Sequence, residues 1–265
     1  MSSAVDAVPA RDWADGLGTD ALLANYHRLD HADVLLSAGV VCRPWRRAAR
    51  EEPSLWRRIT MRGHKGIARR LNRGGVACEA VRRSAGQCEA FCGEYASDDG
   101  FLVYLMEQCI CSHLHAKQSC SYIQAKSLRL TSCNGVTNEG VAEAVKELPL
   151  LEELELSLCD NVGGSGVYEV VGEVCPQLKH FRLSNKLFDI RVCKKDDDVR
   201  GIPTMHGLRS LQPFSNHLTH EDLETILDNC PHLESLDIRH CFNIDMDKTL
   251  LLKCARIKTL IKASG

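Results

Sequence analysis

Potential metal ligands are densest at residues 109–120, whose sequence is CICSHLHAKQSC. Three cysteines and two histidines lie in this stretch, and thiolate and imidazole groups are the ligands that structural zinc prefers. Their order is C-x-C-x-H-x-H, whereas structural zinc sites typically combine C-x2–4-C with H-x3–5-H. We therefore predict no metal site here and interpret the stretch as an inserted loop, because the spacing of the repeats described below is longest at this point.

Motifs for catalysis are also missing from the sequence. It contains no glycine-rich phosphate loop, no G-x-S-x-G nucleophile turn and no H-E-x-x-H metal-binding helix. We accordingly predict no catalytic residues and no cofactor, and we do not expect an enzyme.

Composition narrows the class of protein. With 265 residues, of which 44% are apolar and 26% charged, the chain is typical of a globular protein. It has no run of about 18 apolar residues, and residues 1–11 lack the basic start and apolar stretch of a secretory signal. Fourteen cysteines without such a signal predict free thiols in a reducing compartment, and we expect no membrane association.

Positive charge is concentrated in residues 43–83, which hold thirteen Arg and Lys against three Glu, although the whole chain has a net charge of −2. Such a segment suits nucleic acid or an acidic protein. The segment also contains Trp45 and Trp56, and on a helix Trp45 shares a face with Ala49 while the neighbouring arginines point to solvent. We favour a helix with buried aromatic residues and a solvated basic face over a nucleic-acid interface.

The C-terminal half repeats the frame L-x-x-L-x-L-x-x-C/N, most clearly in LLEELELSLC at residues 150–159. Equivalent apolar positions recur at intervals of 24 to 30 residues, close to the period of a leucine-rich repeat. Apolar residues at i and i+2 point to one face of a strand, so each copy predicts a short strand in a parallel sheet. The Cys or Asn that ends the frame is placed to satisfy backbone groups of the following turn. The equivalent positions are Leu128, Leu154, Phe181, Leu211, Leu236 and Leu260, with Phe91 as an earlier strand position.

Between the strands the apolar period changes to that of helices. GVYEVVGEVCP, TNEGVAEAVKELP and THEDLETILDNCP each place apolar residues on one helical face and end at a proline. Thr219 followed by Asp222 predicts an N-terminal cap for the third helix. Pro213 occupies an apolar frame position, where it cannot donate to a ladder, so we expect the sheet to fray there. The polar segment 186–205 is predicted to protrude as a loop.

Residues 13–60 resemble the F-box, a small helical bundle that docks on a Skp-type adaptor. The matching elements are Leu17, Leu29, Asp33-Val34-Leu35, Val41-Cys42, Trp45-Arg46-Arg47 with Ala49, Pro53, Leu55-Trp56 and Ile59. Thr19 is placed to cap a first helix, which would carry Leu22, Leu23, Tyr26 and Leu29. The sequence departs from the F-box pattern at Gly18, where proline is usual, and at Gly39 inside the second predicted helix. Joined to the cysteine-bearing repeats, the bundle makes the chain resemble a plant F-box/leucine-rich-repeat protein over almost its whole length.

The resemblance implies an α/β fold, namely a leucine-rich-repeat solenoid of short parallel strands and helices preceded by a small all-α F-box bundle. We divide the chain into an F-box at 13–60, a helical connector at 61–86 and a repeat domain at 87–265. The implied function is that of the substrate-recognition subunit of a Skp–cullin–F-box (SCF) ubiquitin ligase, acting in the cytoplasm, the nucleus or both to direct targets to proteasomal degradation. The alternatives are a repeat scaffold without ligase attachment and, less favoured, a nucleic-acid binder that uses residues 43–83.

Two sets of site residues are predicted. The resemblance implies that the adaptor, and through it the cullin core, is bound by Leu17, Leu22, Leu23, Leu29, Val34, Leu35, Val41 and Trp45. Strand alternation turns the residues between the apolar frame positions toward the concave face, where solenoids commonly bind partners. The protein substrate is expected to contact Arg129, Glu155, Arg182, Gln212, Phe214, Asp237 and Arg239. The mixed charge of this set favours a polar protein target over a polyanion.

Overall fold

The computed structural model describes residues 18–37, 41–63, 71–115, 125–184, 199–214 and 218–262, with the backbone alone at Thr19, 109–115, Ser165 and Phe214. Within these residues the framework is one parallel sheet of eight strands, each hydrogen-bonded to the strand that follows it in the chain. This order is that of a solenoid, because every strand adds to the edge left by the previous repeat. The strands are β1 (Arg58–Met61), β2 (Ala90–Glu94), β3 (Ser127–Thr131), β4 (Glu153–Ser157), β5 (His180–Ser184), β6 (Ser210–Phe214), β7 (Ser235–Asp237) and β8 (Thr259–Ile261).

Helices precede the sheet and then alternate with its strands. The N-terminal bundle consists of α1 (Thr19–Tyr26), α2 (His31–Leu36) and α3 (Arg43–Glu51), followed by a 3-10 turn at Pro53–Trp56. The helices of the repeats are α4 (Arg73–Arg83), α5 (Asp99–His115), α6 (Asn138–Lys146), α7 (Ser165–Val174), α8 (His220–Asn229) and α9 (Lys248–Cys254), and a second 3-10 turn, Ile202–Thr204, lies between β5 and β6. The predicted fold class, a solenoid preceded by an all-α bundle, is confirmed.

The apolar frame positions predicted from the sequence pair with one another in the sheet. The equivalent positions pair in the order Phe91, Leu128, Leu154, Phe181, Leu211, Leu236 and Leu260. All of them except Leu260 are buried, so the frame residues form the solenoid core. The sheet begins earlier than the repeat domain predicted from the sequence, because β1 lies across the boundary placed at residue 60 and pairs with β2 over four residues. Helix α4, inside the predicted connector, consequently packs against α5 as the helix of the first repeat.

Cysteine thiols tie the turns of successive repeats together. Cys133 donates to the Gly93 carbonyl (Sγ···O 3.5 Å), and Cys159 donates to the Leu130 carbonyl at 3.6 Å. In each case the acceptor lies on the preceding strand, as it does for the bond from Cys241 to Pro213 at 2.9 Å. The frame cysteines do bond to backbone carbonyls, but in these three bonds the acceptor lies on the preceding strand rather than in the following turn, where the sequence placed it. Left-handed residues, with φ between 54° and 62°, precede these turns at Tyr95, Ser132, Leu158 and His240.

The predicted helices of the repeats are present with the expected buried faces. Helix α8 begins with a capping box, in which the Thr219 side chain accepts from the Asp222 N–H and the Asp222 carboxylate accepts from the Thr219 N–H. Leu223, Ile226 and Leu227 are buried under this helix, as the spacing predicted. The same agreement holds for α6, whose buried residues include Val141 and Val145.

Helix boundaries differ from the sequence expectations at two places. Residues 109–115 do not form a loop: they continue α5, which ends at His115. Residues 116–120 and residues 186–198 of the predicted protruding segment lie outside the described residues. The described end of that segment, 199–205, does not protrude, because Val199, Ile202 and Met205 are buried in the core. In the bundle Gly18 rather than Thr19 precedes α1 as its N-cap, and Leu29 lies beyond the end of that helix.

Pro213 does not interrupt the ladder between β5 and β6, where it pairs with Leu183. A proline lacks only the N–H, so it can disturb the hydrogen bonds on only one side of its strand. The ladder is shorter on the β7 side of β6, where the two strands pair only at Ser210 with Ser235 and at Leu211 with Leu236. The expected fraying is thus confined to the β6–β7 ladder.

Polar contacts of Asp30 and His31 join the bundle to the sheet. The Thr60 N–H of β1 donates to Nδ1 of His31 in α2 (3.1 Å), so the other ring nitrogen carries the proton and donates to the Leu55 carbonyl (3.0 Å). Asp30, which caps α2, also accepts from the Arg62 N–H at 2.6 Å. We call these contacts of Asp30 and His31 the bundle–sheet joint. Because the 3-10 turn runs directly into β1, the bundle and the first repeat form one packed unit.

Candidate docking and recognition surfaces

Aromatic side chains hold the bundle together around α3. Tyr26 of α1 donates its hydroxyl to the Trp45 carbonyl at 2.6 Å, and the two rings meet edge to face with centroids 5.2 Å apart. Burial raises the pKa of Tyr26 to about 12, so the hydroxyl keeps its proton for this bond. Trp56 is fully buried and donates its indole N–H to the Ala49 carbonyl at 3.1 Å. The tryptophans of the basic segment therefore serve the interior of the bundle rather than a base-stacking surface.

Several cations of the basic segment are used inside the protein. Arg73 is buried and donates to three carbonyls at the ends of β1 and β2, at 2.7–3.0 Å. Arg83 lies over the Trp56 ring at 5.4 Å from its centroid and donates to the Ala49 carbonyl. Two further arginines, Arg57 and Arg82, pair with Glu89 and Glu79. Arg83 thereby joins the bundle to the first repeat, and the use of all four arginines inside the protein weakens the case for a nucleic-acid interface.

The predicted adaptor-binding residues divide into a buried and an exposed group. Leu22 and Val34 are buried in the bundle core, so their side chains are not at the surface of the free protein, and their part in adaptor binding stays a prediction. Leu23, Leu35 and Trp45 are partly buried against this core. Leu17 lies outside the described residues.

Three large apolar side chains of the bundle are exposed between residues 29 and 41. Leu29 is 41% exposed and Val41 is 53% exposed, and both belong to the predicted adaptor-binding set. Leu36, at the end of α2, is 46% exposed and was not singled out from the sequence. We call these three residues the bundle face. Covering them with a partner would remove apolar surface from water, at roughly 25 cal/mol per Å².

The concave face of the sheet carries the predicted substrate-binding row. Strand pairing brings Arg129, Glu155, Arg182 and Gln212 side by side. Glu155 accepts from Arg129 Nε at 2.8 Å and from the Ser157 hydroxyl at 2.9 Å, and it lies 3.6 Å from Arg182. The carboxylate side chain is 9% exposed, whereas the two guanidiniums are 37% and 44% exposed. The row therefore presents hydrogen-bond donors to solvent and keeps the carboxylate that positions them beneath.

The same arrangement recurs at β7. Asp237 accepts from Arg239 through both of its oxygens, at 2.9 and 2.7 Å. Burial acts to raise the pKa of the Asp237 carboxyl, but the hydrogen bonds from Arg239 outweigh it, so that pKa lies below its ordinary value. Exposed guanidiniums held in this way can make paired hydrogen bonds to carboxylates and further bonds to backbone carbonyls.

Residues missing from the predicted row are found at its two ends. The register extends the row to Thr60 of β1 and Cys92 of β2, and it places Ile261 beside Asp237. Burial raises the pKa of the Cys92 thiol, which makes the thiolate scarce and argues against a nucleophilic role. The predicted contact Phe214 ends β6, and its side chain is outside the described atoms.

A cavity of about 100 Å³ lies on the concave face and is lined by His180, Arg182 and Gln212, among others. Pockets for drug-sized ligands typically measure about 300–1,000 Å³, so this face suits extended contact with a protein better than a bound cofactor. In the part of the chain that the structure describes, no group of three or more potential metal ligands converges. No helix in the described ranges is long and apolar enough to cross a bilayer.

Comparison with known proteins assigns the family. A model described as F-box-like matches residues 22–62, and a Leucine Rich repeat model matches residues 147–171 and 229–242. The chain is 36% identical over 255 residues to Putative F-box/LRR-repeat protein 22 of Arabidopsis thaliana, covering 93% of this chain and 75% of that protein. The chain is an F-box/leucine-rich-repeat protein.

Other relatives differ in length from this F-box/leucine-rich-repeat protein. It is 36% identical to Putative F-box/LRR-repeat protein 23 of Arabidopsis thaliana over 94% of this chain, but it spans only 53% of that protein. It is 34% identical to F-box protein SKIP19 of the same plant, covering 95% of this chain and 77% of the relative. F-box/leucine-rich-repeat proteins are generally non-catalytic substrate receptors of SCF ubiquitin ligases. The F-box match ends just beyond β1, so it includes the first strand of the sheet.

Proposed function

We propose that this F-box/leucine-rich-repeat protein is the substrate-recognition subunit of an SCF ubiquitin ligase that directs a target protein to proteasomal degradation. The bundle would bind a Skp-type adaptor and, through it, the cullin core, while the repeats would bind the target. Ubiquitin transfer would be carried out by other subunits, and this chain would contribute by holding the target near the activated conjugate.

The observation that carries the proposal is the exposure of the bundle face. Leu29, Leu36 and Val41 remain in contact with water although other apolar residues of the same bundle, such as Leu22 and Val34, are buried. Exposed apolar groups gathered in one small module favour a site for a protein partner. Their place in the region that matches the F-box model supports a Skp-type adaptor as that partner.

The concave face supports a polar target. Its exposed tips are the guanidiniums of Arg129, Arg182 and Arg239, each held by a buried or nearly buried carboxylate. Because the donors are already positioned, a target that offers carboxylates or backbone carbonyls can bind with little reordering of side chains. We expect the protein in the cytoplasm, the nucleus or both, which a fluorescent fusion would test.

Adaptor binding is the decisive experiment. The affinity of the full chain for a purified Skp-type adaptor is measured by isothermal titration calorimetry for wild type, Leu36→Asp and Val41→Asp. A charge placed in an apolar interface should weaken binding at least about tenfold, because the carboxylate loses its hydration without gaining a partner. Leu150→Asp, at an exposed leucine of the solenoid, is the matched control and should bind like wild type.

Two results would contradict the proposal. Wild-type protein without measurable affinity at micromolar concentrations would leave the repeat scaffold without ligase attachment as the better function. Equal binding by wild type and both bundle-face variants would place the adaptor elsewhere on the chain. Circular dichroism of each variant confirms that a loss of binding does not come from unfolding.

A further inference from the structure

A row of alternating charge runs along the sheet, separate from both surfaces described above. The residue immediately before each strand is charged, and side chains pair across strands at 2.6–3.4 Å, as in Lys126–Glu152, Glu152–Lys179 and Glu234–Lys258. We call this row the basal ladder. Its members, in strand order, are Arg57, Glu89, Lys126, Glu152, Lys179, Arg209, Glu234 and Lys258.

The alternation fails at one step, between Lys179 and Arg209. The two residues immediately precede the adjacent strands β5 and β6, and they are neighbours because the Arg209 N–H donates to the Lys179 carbonyl at 2.8 Å. Lys179 pairs on its far side with Glu152 at 2.6 Å, and Arg209 pairs on its far side with Glu234 at 3.2 Å. Like charges on neighbouring strands repel each other, so an anion placed between them would be stabilised.

A cavity opens at this step of the basal ladder. It has a volume of about 210 Å³ and is lined by Lys179, Arg209 and His232 together with Gln177, Pro176 and Gly207. Among these described lining residues none is acidic, and four can donate hydrogen bonds from their side chains. The volume is below the range of about 300–1,000 Å³ typical of drug-sized ligands, so a small ion or a single substituent fits it better.

We propose that this cavity binds the phosphate group of a small soluble compound. An Arg fork and a Lys ammonium together suit phosphate, because the fork makes paired hydrogen bonds and the ammonium acts as a compact point charge. In this part of the basal ladder four cations, Lys126, Lys179, Arg209 and Lys258, share two carboxylates, Glu152 and Glu234, which leaves an excess of two positive charges. A phosphate monoester carries a charge of about −1.5 to −2 at neutral pH and matches this excess, whereas a carboxylate supplies only one negative charge. Bound phosphate would restore the alternation of the basal ladder.

Calorimetric titration of the full chain tests this site. Inorganic phosphate, glycerol phosphate and acetate are titrated at equal ionic strength into wild type, Lys179→Gln and Arg209→Gln. Phosphate compounds should bind with one-to-one stoichiometry, and each substitution should weaken them about tenfold, because one charge-assisted contact is lost. Lys258→Gln removes a ladder lysine outside the cavity and should change the affinity less than about twofold.

The outcomes separate the proposal from general attraction of anions. Tighter binding of glycerol phosphate identifies a phosphate ester as the ligand class, and tighter binding of inorganic phosphate identifies the free ion. Three results overturn the proposal: no phosphate binding at millimolar concentration, acetate binding as tightly as phosphate, or an equal loss of affinity in Lys258→Gln. Since Lys179→Gln and Arg209→Gln are tested separately, a folding defect in one leaves the other as the test. Adaptor affinity should be the same in both variants, so this site and the bundle face can fail independently.

Discussion

The surfaces of the bundle and of the solenoid differ in which side chains they expose to water. In the bundle, three large apolar side chains stay exposed beside a packed core, at Leu29, Leu36 and Val41. In the central repeats the frame residues are buried, and the polar residues of the concave face pair with one another. Covering the bundle with a partner would therefore remove apolar surface from water, whereas the polar groups of the concave face already have hydrogen-bond partners. This difference is what a receptor needs if one end binds a constant partner by burial and the other selects targets by hydrogen bonding.

The largest expected effect comes from opening a cavity in the solenoid. Leu154→Ala removes a fully buried frame side chain and should lower the free energy of unfolding by about 2–5 kcal/mol, because neighbouring repeats can relax only partly into the space. Urea titration followed by circular dichroism measures the loss. Leu150→Ala, at an exposed leucine four residues earlier, should stay within about 0.5 kcal/mol of wild type. Equal effects at the two positions would mean that the frame is not the core.

A smaller loss is expected from breaking the bundle–sheet joint. His31→Ala leaves the Thr60 N–H and the Leu55 carbonyl without their buried partner, which should cost about 1–3 kcal/mol of unfolding free energy. Hydrogen exchange should show faster exchange at the Thr60 amide, while amides of β4 keep their protection. His27→Ala, which truncates an exposed histidine of the same bundle, is the control. Unchanged exchange at Thr60 in His31→Ala would show that the joint does not depend on the imidazole.

The smallest effect concerns the ion pairs within α4, the helix of the first repeat whose Arg83 also contacts the bundle. Hydrogen bonds from Arg82 and Arg83 hold the pKa of Glu79 at about 2, below its ordinary 4.5. A lowered folded-state pKa stabilises the protein above pH 4.5, and that contribution is lost as the pH falls from 4.5 toward 2. Because Glu79 is partly exposed, the contribution should be less than about 1 kcal/mol.

Urea midpoints at pH 6 and pH 3.5 measure this contribution. Glu79→Gln should show a smaller decrease between the two pH values than wild type, and the difference should shrink at high salt because exposed charges are screened. An equal decrease of the urea midpoint between pH 6 and pH 3.5 in the two proteins would contradict the role assigned to these ion pairs.

Sequence patterns gave the register of the central repeats because that register depends on local alternation. Leu128, Leu154 and Leu236 each sit in a strand whose neighbours at i+2 are also apolar, and this is visible without tertiary information. The second strand, β2, was placed through Phe91 alone, and the rest of it departs from the frame for a physical reason. At β2 the position equivalent to Leu130 is Gly93, and a Cβ there would come within 2.6 Å of the Phe91 ring, which fills the space that a leucine occupies elsewhere.

The candidate sites were less accessible to sequence reasoning, because they depend on burial and side-chain direction. The resemblance to the F-box grouped Leu22 and Val34 with Val41, although only the last is exposed. Strand alternation placed Glu155 and Arg182 in one row but could not show that the carboxylate lies beneath the guanidiniums. The alternation of the basal ladder could have been found by aligning the residues that precede each strand, whereas its cavity required coordinates.

The bundle–sheet joint gives the molecule a fixed internal geometry. Since the imidazole of His31 is held between Leu55 and Thr60, the helices cannot swing relative to the first repeat without breaking buried hydrogen bonds. A target bound at the concave face would therefore be held at a constant distance and orientation relative to a partner bound at the helices. In the proposed role as a ligase receptor, this fixed geometry would determine which lysines of a bound target come within range of the transferred ubiquitin.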